Sequence, residues 1–328
     1  MEPIEIENTN GGPVAFVGDA GYIVGGDGTK IRRWKVSDGK EVGQRMDAGS
    51  QVWSIAVSRN GKWIVGGTES GQVGVWDANS HEKASEFKGH EDRLYAVDIS
   101  PDATRVASGS IDKTVCVWSR STSKRLLGPF KHDAEVIAVK FSPNGQFIAT
   151  ATWNHESVRV YDSRNGRLLF DTPIGVGSPC NQSLAWISDS KQLFALSRDG
   201  EVHCLDVTNG RILSAWATHG HGYPSCIALA SNGAFIAASA NSSVSFWDTA
   251  THKQIGPLIH HPDYVLYMAI LANTVLVVSG GHKIILRKLP DILPSSYFGD
   301  VCVFRCQRDT IHHDSLAAID IQSHPSVG

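Results

Sequence analysis

The sequence predicts an all-β chain made of seven copies of one four-stranded antiparallel unit. Two marks that repeat at the same spacing predict it. The first is the end of a strand-like run, at Trp34, Trp76, Trp118, Tyr161, Leu205, Trp247 and Arg287. Successive spacings are 42, 42, 43, 44, 42 and 40 residues. Asp follows at Asp77, Asp162, Asp206 and Asp248, and Ser119 follows Trp118. The second mark is a turn residue at Asp19, Asn60, Asp102, Asn144, Asp189, Asn232 and Asn273. Contexts such as Arg59-Asn60-Gly61-Lys62 tolerate positive φ and favour tight hairpins. Two marks locked to one period signal a repeat array, whereas a β-sandwich has no need of a fixed period.

Runs rich in β-branched and aromatic residues fill the intervals. Val52–Val57, Trp63–Gly67 and Val73–Trp76 make one set; Leu94–Ile99, Arg105–Ser108 and Val115–Trp118 make the next. A further short run completes each meander, and no helical period of useful length appears. A chain of 328 residues can bury roughly 75% of its unfolded surface, so it needs no disulfide staple. Its six cysteines, Cys116, Cys180, Cys204, Cys226, Cys302 and Cys306, are scattered. They suit reduced, mostly buried thiols, and a cytoplasmic or nuclear setting is expected.

The formal net charge is −3, from 30 Lys+Arg against 33 Asp+Glu, with no basic block. A phosphate-binding footprint is unsupported, and no nucleic-acid partner is expected. Met1 to Glu7 carries no secretory leader pattern. Apolar runs such as Thr274 to Ser279 are too short to cross a bilayer, so no membrane partner is expected.

These residues resemble the WD40-repeat family over nearly all of residues 4–289. The third unit matches best, with Gly89-His90, Asp98-Ile99-Ser100-Pro101-Asp102, the run Ala107 to Thr114, and Val117-Trp118. The resemblance implies a seven-bladed β-propeller of four-stranded antiparallel blades over residues 1–290. It also implies a structural hydrogen-bond set, His90, Ser108, Asp112 and Trp118. In such a set a turn Asp accepts from an imidazole, which a hydroxyl and an indole N–H hold in place. Charge-assisted bonds of this kind are worth roughly 1.5–3 kcal/mol each. The same residue types could suggest Ser–His–Asp hydrolysis, but the resemblance places them between strands, so no catalytic residue is expected. Other units depart from the pattern. Ser70 stands at the turn of the second, Asn154 and Tyr161 accompany His132 in the fourth, and Leu205 accompanies Asp199 in the fifth. The seventh has Gly281 and Arg287. The fifth and seventh blades are expected to be looser.

A ring of blades must pair its last edge. Pro290 and Pro294 bar a further strand directly after Leu289. The N-terminal strand Pro3–Glu7, where Ile4 and Ile6 alternate with Glu5 and Glu7, is therefore expected to close the ring as the outer strand of blade seven. The rival, Val301–Cys306, starts 12 residues beyond Leu289, longer than a usual hairpin loop. Residues 291–328 form a C-terminal tail, part strand and part loop, or the start of a lost or truncated domain. Asp291–Gly299 reads as loop. Cys302, Cys306, His312 and His313 lack a usual zinc spacing, so neither metal nor other cofactor is expected.

The resemblance places partner binding on the top face, near the loops entering the innermost strands and the turns carrying the blade Asp. Places matching Arg93 and Tyr95 hold Gln51 and Trp53, Glu135 and Ile137, Asn181 and Ser183, Tyr223 and Ser225, and Tyr264 and Leu266. Places just before the turn Asp hold Asp27, Glu69, Ile111, Trp153, Arg198 and Ala240. Trp, Tyr and Arg dominate interface hot spots. The candidates are thus Trp53, Arg93, Tyr95, Trp153 and Arg198, with Arg93 as a polar clamp. A packing role stands equally open for Trp53, Tyr95 and Trp153. Tyr223 and Tyr264, beside Pro224 and Pro262, are expected to pack.

The expected function is a non-catalytic interaction scaffold for a protein or peptide. A lectin-like propeller binding carbohydrate or a small ligand is the alternative. The top positions differ between blades, however, where a lectin would repeat one pocket. No nucleotide-binding glycine loop or nucleophile elbow marks an enzyme. Membership of a larger complex or longer multidomain chain stays open.

Overall fold

The computed structural model describes residues 2–298 except 8–9, 19–20, 154–156, 177–181 and 219–223. Seven four-stranded antiparallel sheets stand in a ring. Blade two runs outward as Val52–Val57, Trp63–Thr68, Gln72–Asp77 and Lys83–Lys88. Blade three is Leu94–Ile99, Arg105–Ser110, Thr114–Ser119 and Arg125–Lys131. Blade four is Val136–Phe141, Phe147–Thr152, Val158–Asp162 and Leu168–Thr172. Blades one, five, six and seven begin at Val14–Phe16, Leu184–Trp186, Pro224–Leu229 and Tyr267–Leu271. Each innermost strand packs on its neighbours, and that of blade seven packs on that of blade one. They enclose a channel of about 410 Å3 whose lining includes Phe16, Lys140, Gln182 and Met268.

Both sequence marks have a structural cause. Every residue of the first mark is the penultimate residue of a third strand, from Trp34 in Lys30–Lys35 to Arg287 in Lys283–Lys288. There the large rings fill space between sheets, and Trp34 and Trp76 are buried. The following Asp caps the next turn: Asp77 Oδ1 accepts from the N–H groups of Asn79 and Ser80 at 2.8 and 3.0 Å. Asn60 caps the first turn in the same way, accepting from the Lys62 N–H at 3.1 Å, and Gly61 follows at φ +68°. Blade-to-blade contact is close. A Cβ on Gly67 of blade two would stand 2.8 Å from Val97 Cγ1 and 3.0 Å from Leu94 Cβ of blade three.

The ring is closed by the N-terminal strand. Ile4–Ile6 pairs antiparallel with Lys283–Lys288, with Ile4 opposite Leu286 and Ile6 opposite Ile284. Ile6 is buried in the apolar cluster that joins blades six, seven and one. Lys283 Nζ bonds Glu5 at 2.8 Å and Glu7 at 3.2 Å, a solvated contact that adds little. The rival strand Val301–Cys306, like the Cys302, Cys306, His312 and His313 group, lies outside the described residues. The stretch read as loop from Asp291 is ordered through Phe298 against blade six. It has two 3-10 turns, Leu289–Asp291 and Ser295–Tyr297. Leu293 is buried, and the Tyr297 hydroxyl donates to Asp248 Oδ2 at 2.7 Å. Among the described residues no helix is long and apolar enough to cross a membrane.

The polar set of blade three is assembled as the resemblance implied. His90 Nδ1 lies 2.8 Å from Asp112 Oδ2, and His90 Nε2 lies 2.8 Å from Ser108 Oγ. The Trp118 indole N–H donates to the same Ser108 oxygen at 2.8 Å. Thr114 Oγ1 donates to Asp112 Oδ1 at 2.7 Å. Ser108 is fully buried, enclosed between strands. Burial pulls the imidazole pKa down, but the Asp112 carboxylate and the Cys116 sulfur outweigh it and raise the group to about 9. Burial likewise pushes Asp112 up, and its bonds to His90 and Thr114 overcome that and hold it at about 2.

His132 at the same place in blade four goes the other way. Burial, reinforced by the Arg159 charge, drives its pKa down to about 4. Its Nε2 lies 3.3 Å from the Tyr161 hydroxyl. Arg159 is held by Asp171 at 2.7 Å and Asp133 at 2.9 Å. One blade is therefore pinned by a charged imidazole and the next by a neutral one.

These contacts lead to two expected outcomes. Ile6→Ala should destabilise the protein by about 2–5 kcal/mol, and deleting residues 1–8 should lower the melting temperature by many degrees. An unchanged melt after the deletion would contradict closure by this strand. His90→Ala should cost about 1–3 kcal/mol by leaving buried polar partners unmatched. The His90 contribution is complete below its ordinary 6.5 and fades as pH rises through about 9. That of Asp112 is complete above its ordinary 3.8 and fades as pH falls through about 2. Urea unfolding across a pH series should thus find the gap between parent and His90→Ala widest between 3.8 and 6.5. A gap that widens at alkaline pH would exclude a charged His90.

Candidate functional site

The top face is the side on which the chain enters each innermost strand and turns from the second strand to the third. In blades two, three and four the pairing of the two inner strands skips one residue there. Val52 faces Thr68 and Ser54 faces Gly67; Leu94 faces Ser110 and Ala96 faces Gly109; Val136 faces Thr152 and Ala138 faces Ala151. The skipped residues are Trp53, Tyr95 and Ile137. An extra residue in one strand breaks the in-out alternation and re-aims its side chain. At 53 and 95 that side chain is aromatic, while Ile137 is buried. Blade four supplies its aromatic from the other inner strand: Trp153 follows Phe147–Thr152, and its N–H donates to the Glu135 carbonyl at 2.9 Å.

The three rings form one row across blades two to four. Trp53 meets Tyr95 edge-on with centres 5.7 Å apart, and Tyr95 meets Trp153 at 6.4 Å. The Arg93 guanidinium lies 4.2 Å from the Trp53 ring centre and 5.8 Å from that of Tyr95. Arg93 Nη2 bonds Glu69 Oε1 at 2.6 Å, and Nη1 donates to the Tyr95 hydroxyl at 3.5 Å. Burial opposes this charge, but Tyr95 and Glu69 more than offset it and raise the Arg93 pKa above the ordinary arginine value.

The geometry distinguishes the candidates. Arg93 is engaged inside the chain, as a roof over Trp53. The Trp53 indole N–H is buried without a hydrogen-bond partner among the described residues, and its carbonyl accepts from the Tyr267 hydroxyl at 3.1 Å. Trp53 thus supports the row from beneath. Tyr95 and Trp153 instead wall a pocket of about 320 Å3, completed by Ile111 and Glu135. Arg198 stands exposed at the second turn of blade five, its N–H donating to Gly175 O at 2.8 Å.

Tyr264 corrects the sequence reading. Expected to pack, it is 66% exposed, and Leu266 beside it is 42% exposed. The first strand of blade seven begins only at Tyr267, and Val265 takes the buried place in the entry loop. Tyr223 and Asn181 lie outside the described residues. Glu69 and Glu135 were not singled out from sequence. The available signal was an acid at 135, where blade three carries Arg93.

The family description "WD domain, G-beta repeat" matches residues 42–77, 81–119, 124–162 and 212–248. No curated protein matches the chain. Each matched segment starts at or just before the outer strand of one blade and ends at the third strand of the next, so the matches terminate in blades two, three, four and six. Blades one and five, of which only the outer strands fall in these segments, and blade seven, which lies outside them, repeat the same antiparallel order. With seven such blades closed in a ring, the chain belongs to the WD40-repeat family.

Proposed function

We propose that the protein is a non-catalytic interaction scaffold whose top face, over blades two to four, docks a protein or peptide partner. Propellers of this family are generally protein-interaction scaffolds, which sets the broad class. The observation that carries the finer reading is the aromatic row ending in the open pocket between Tyr95 and Trp153. Aromatic rings held in place by their neighbours lose little entropy on docking and bury much apolar area. Trp53 and Arg93 hold Tyr95 from one side. Tyr95 and Trp153 are the contact residues, and Arg198 lies further round the same face as a peripheral contact. A cytoplasmic or nuclear setting belongs to the same proposal, supported by the buried free thiols of Cys116 and Cys204.

Tyr95→Ala and Trp153→Ala should each weaken binding by about 2 kcal/mol or more while melting as the parent does. Partners captured by the immobilised parent and identified by mass spectrometry provide the assay, with Leu213→Ser on the exposed outer strand as a control. Capture unchanged in both aromatic variants would move the site off this face. Early melting of both would reduce the two rings to packing residues.

A further inference from the structure

The top face holds one guanidinium site already filled by the chain and, beside it, a site of the same chemistry that is not. In the filled site Arg93 lies over Trp53 and Tyr95 and pairs with Glu69 at 2.6 Å. Two aromatic rings and one carboxylate thus hold one guanidinium, whose Nε is buried without a hydrogen-bond partner among the described residues. The adjoining pocket offers the same set: Tyr95, shared with the first site, then Trp153 and Glu135, with Ile111 as the apolar wall. Glu135 is held against Trp153 by the backbone bond from the Trp153 N–H. Among the described residues its carboxylate has no hydrogen-bond or ion-pair partner. Three cations of blades three and four are engaged elsewhere. Arg93 is on Glu69, Arg159 is on Asp133 and Asp171, and Lys113 Nζ donates to the Asp133 carbonyl at 3.1 Å. Glu91 and Asp92 add exposed acids on the loop that enters blade three.

We propose that this pocket takes the guanidinium of an arginine side chain presented by the partner. The inference rests on the reading of the top face as the docking surface and names the chemistry it selects. A planar guanidinium can stack on a ring and bond a carboxylate through two N–H groups at once. A lysine ammonium makes a point contact and gives up the stacking. Cation–ring attraction strengthens as a partner covers the pocket and removes water. The occupant therefore completes a second stacked guanidinium next to Arg93.

The test uses the full chain labelled with 15N at the tryptophan indoles, the Trp153 resonance being assigned through Trp153→Phe. The probes are Nα-acetyl-arginine methylamide and its neutral isostere Nα-acetyl-citrulline methylamide. The arginine probe should shift the Trp153 resonance saturably, at a midpoint at least about fivefold lower than citrulline. Glu135→Gln should erase that preference and leave the citrulline midpoint unchanged. Added salt should weaken only the arginine probe in the parent, a reading that needs no variant. Equal midpoints, a preference that survives Glu135→Gln, or no saturable shift by arginine would each overturn the proposal. The docking surface fails separately, through unchanged partner capture by Tyr95→Ala and Trp153→Ala.

Discussion

A β-sheet blade has two edges, and an unpaired edge is a row of open hydrogen-bonding groups. The ring depends on how those edges are tied. The sequence unit is offset from the blade by one strand: residues 81–119 take in the outer strand of blade two and the first three strands of blade three. Neighbouring blades are therefore joined by continuous chain as well as by packing. Ile4–Ile6 does for blade seven what Lys83–Lys88 does for blade two. Once edges are tied in this way, the apolar faces lie against one another, and small residues such as Gly67 set how closely they approach.

Such a framework tolerates large changes in how each blade is pinned. His90 and His132 occupy matching places, yet one carries charge and the other does not. The difference lies in their neighbours: a carboxylate beside His90, a guanidinium beside His132. Leu205 replaces the indole of other blades altogether and is fully buried. Stability in this architecture is spread over the interfaces between sheets, so the loops on the top face are free to differ. That freedom lets blades two to four carry an aromatic row that is not a seven-fold repeat.

The features legible in the sequence were the local ones. An Asn or Asp that caps its own turn and a ring that ends a third strand act within a few residues, so they recur at the period of the fold. Closure was legible for a related reason, because Pro290 barred the obvious continuation while Ile4 and Ile6 showed a strand alternation. The top face was legible only in part. Trp53, Arg93, Tyr95 and Trp153 come together as neighbours, but Arg93 is claimed by Glu69, which lies on a different blade. No spacing announces an ion pair between blades. The bulges at Trp53 and Tyr95 were equally silent, since an unpaired residue is a property of two strands and not of one. Tyr264 was misread because the entry loop of blade seven spends three residues before its strand starts, and Val265 takes the inward place.

The pairing of Ile4 with Leu286 also dictates a schedule. A ribosome adds roughly 5–20 residues per second, so Ile4–Ile6 waits on the order of 15–60 s for its partner strand to be made. Middle blades can acquire their outer strands as synthesis proceeds, because each outer strand directly follows its own third strand in the chain. The final ladder cannot form until Lys283–Lys288 has left the exit tunnel. During that interval Ile4 and Ile6 are solvent-facing apolar residues with no sheet to join. The nascent ring is an open arc with a sticky end on each side, and this is the period in which a chaperone would have something to hold.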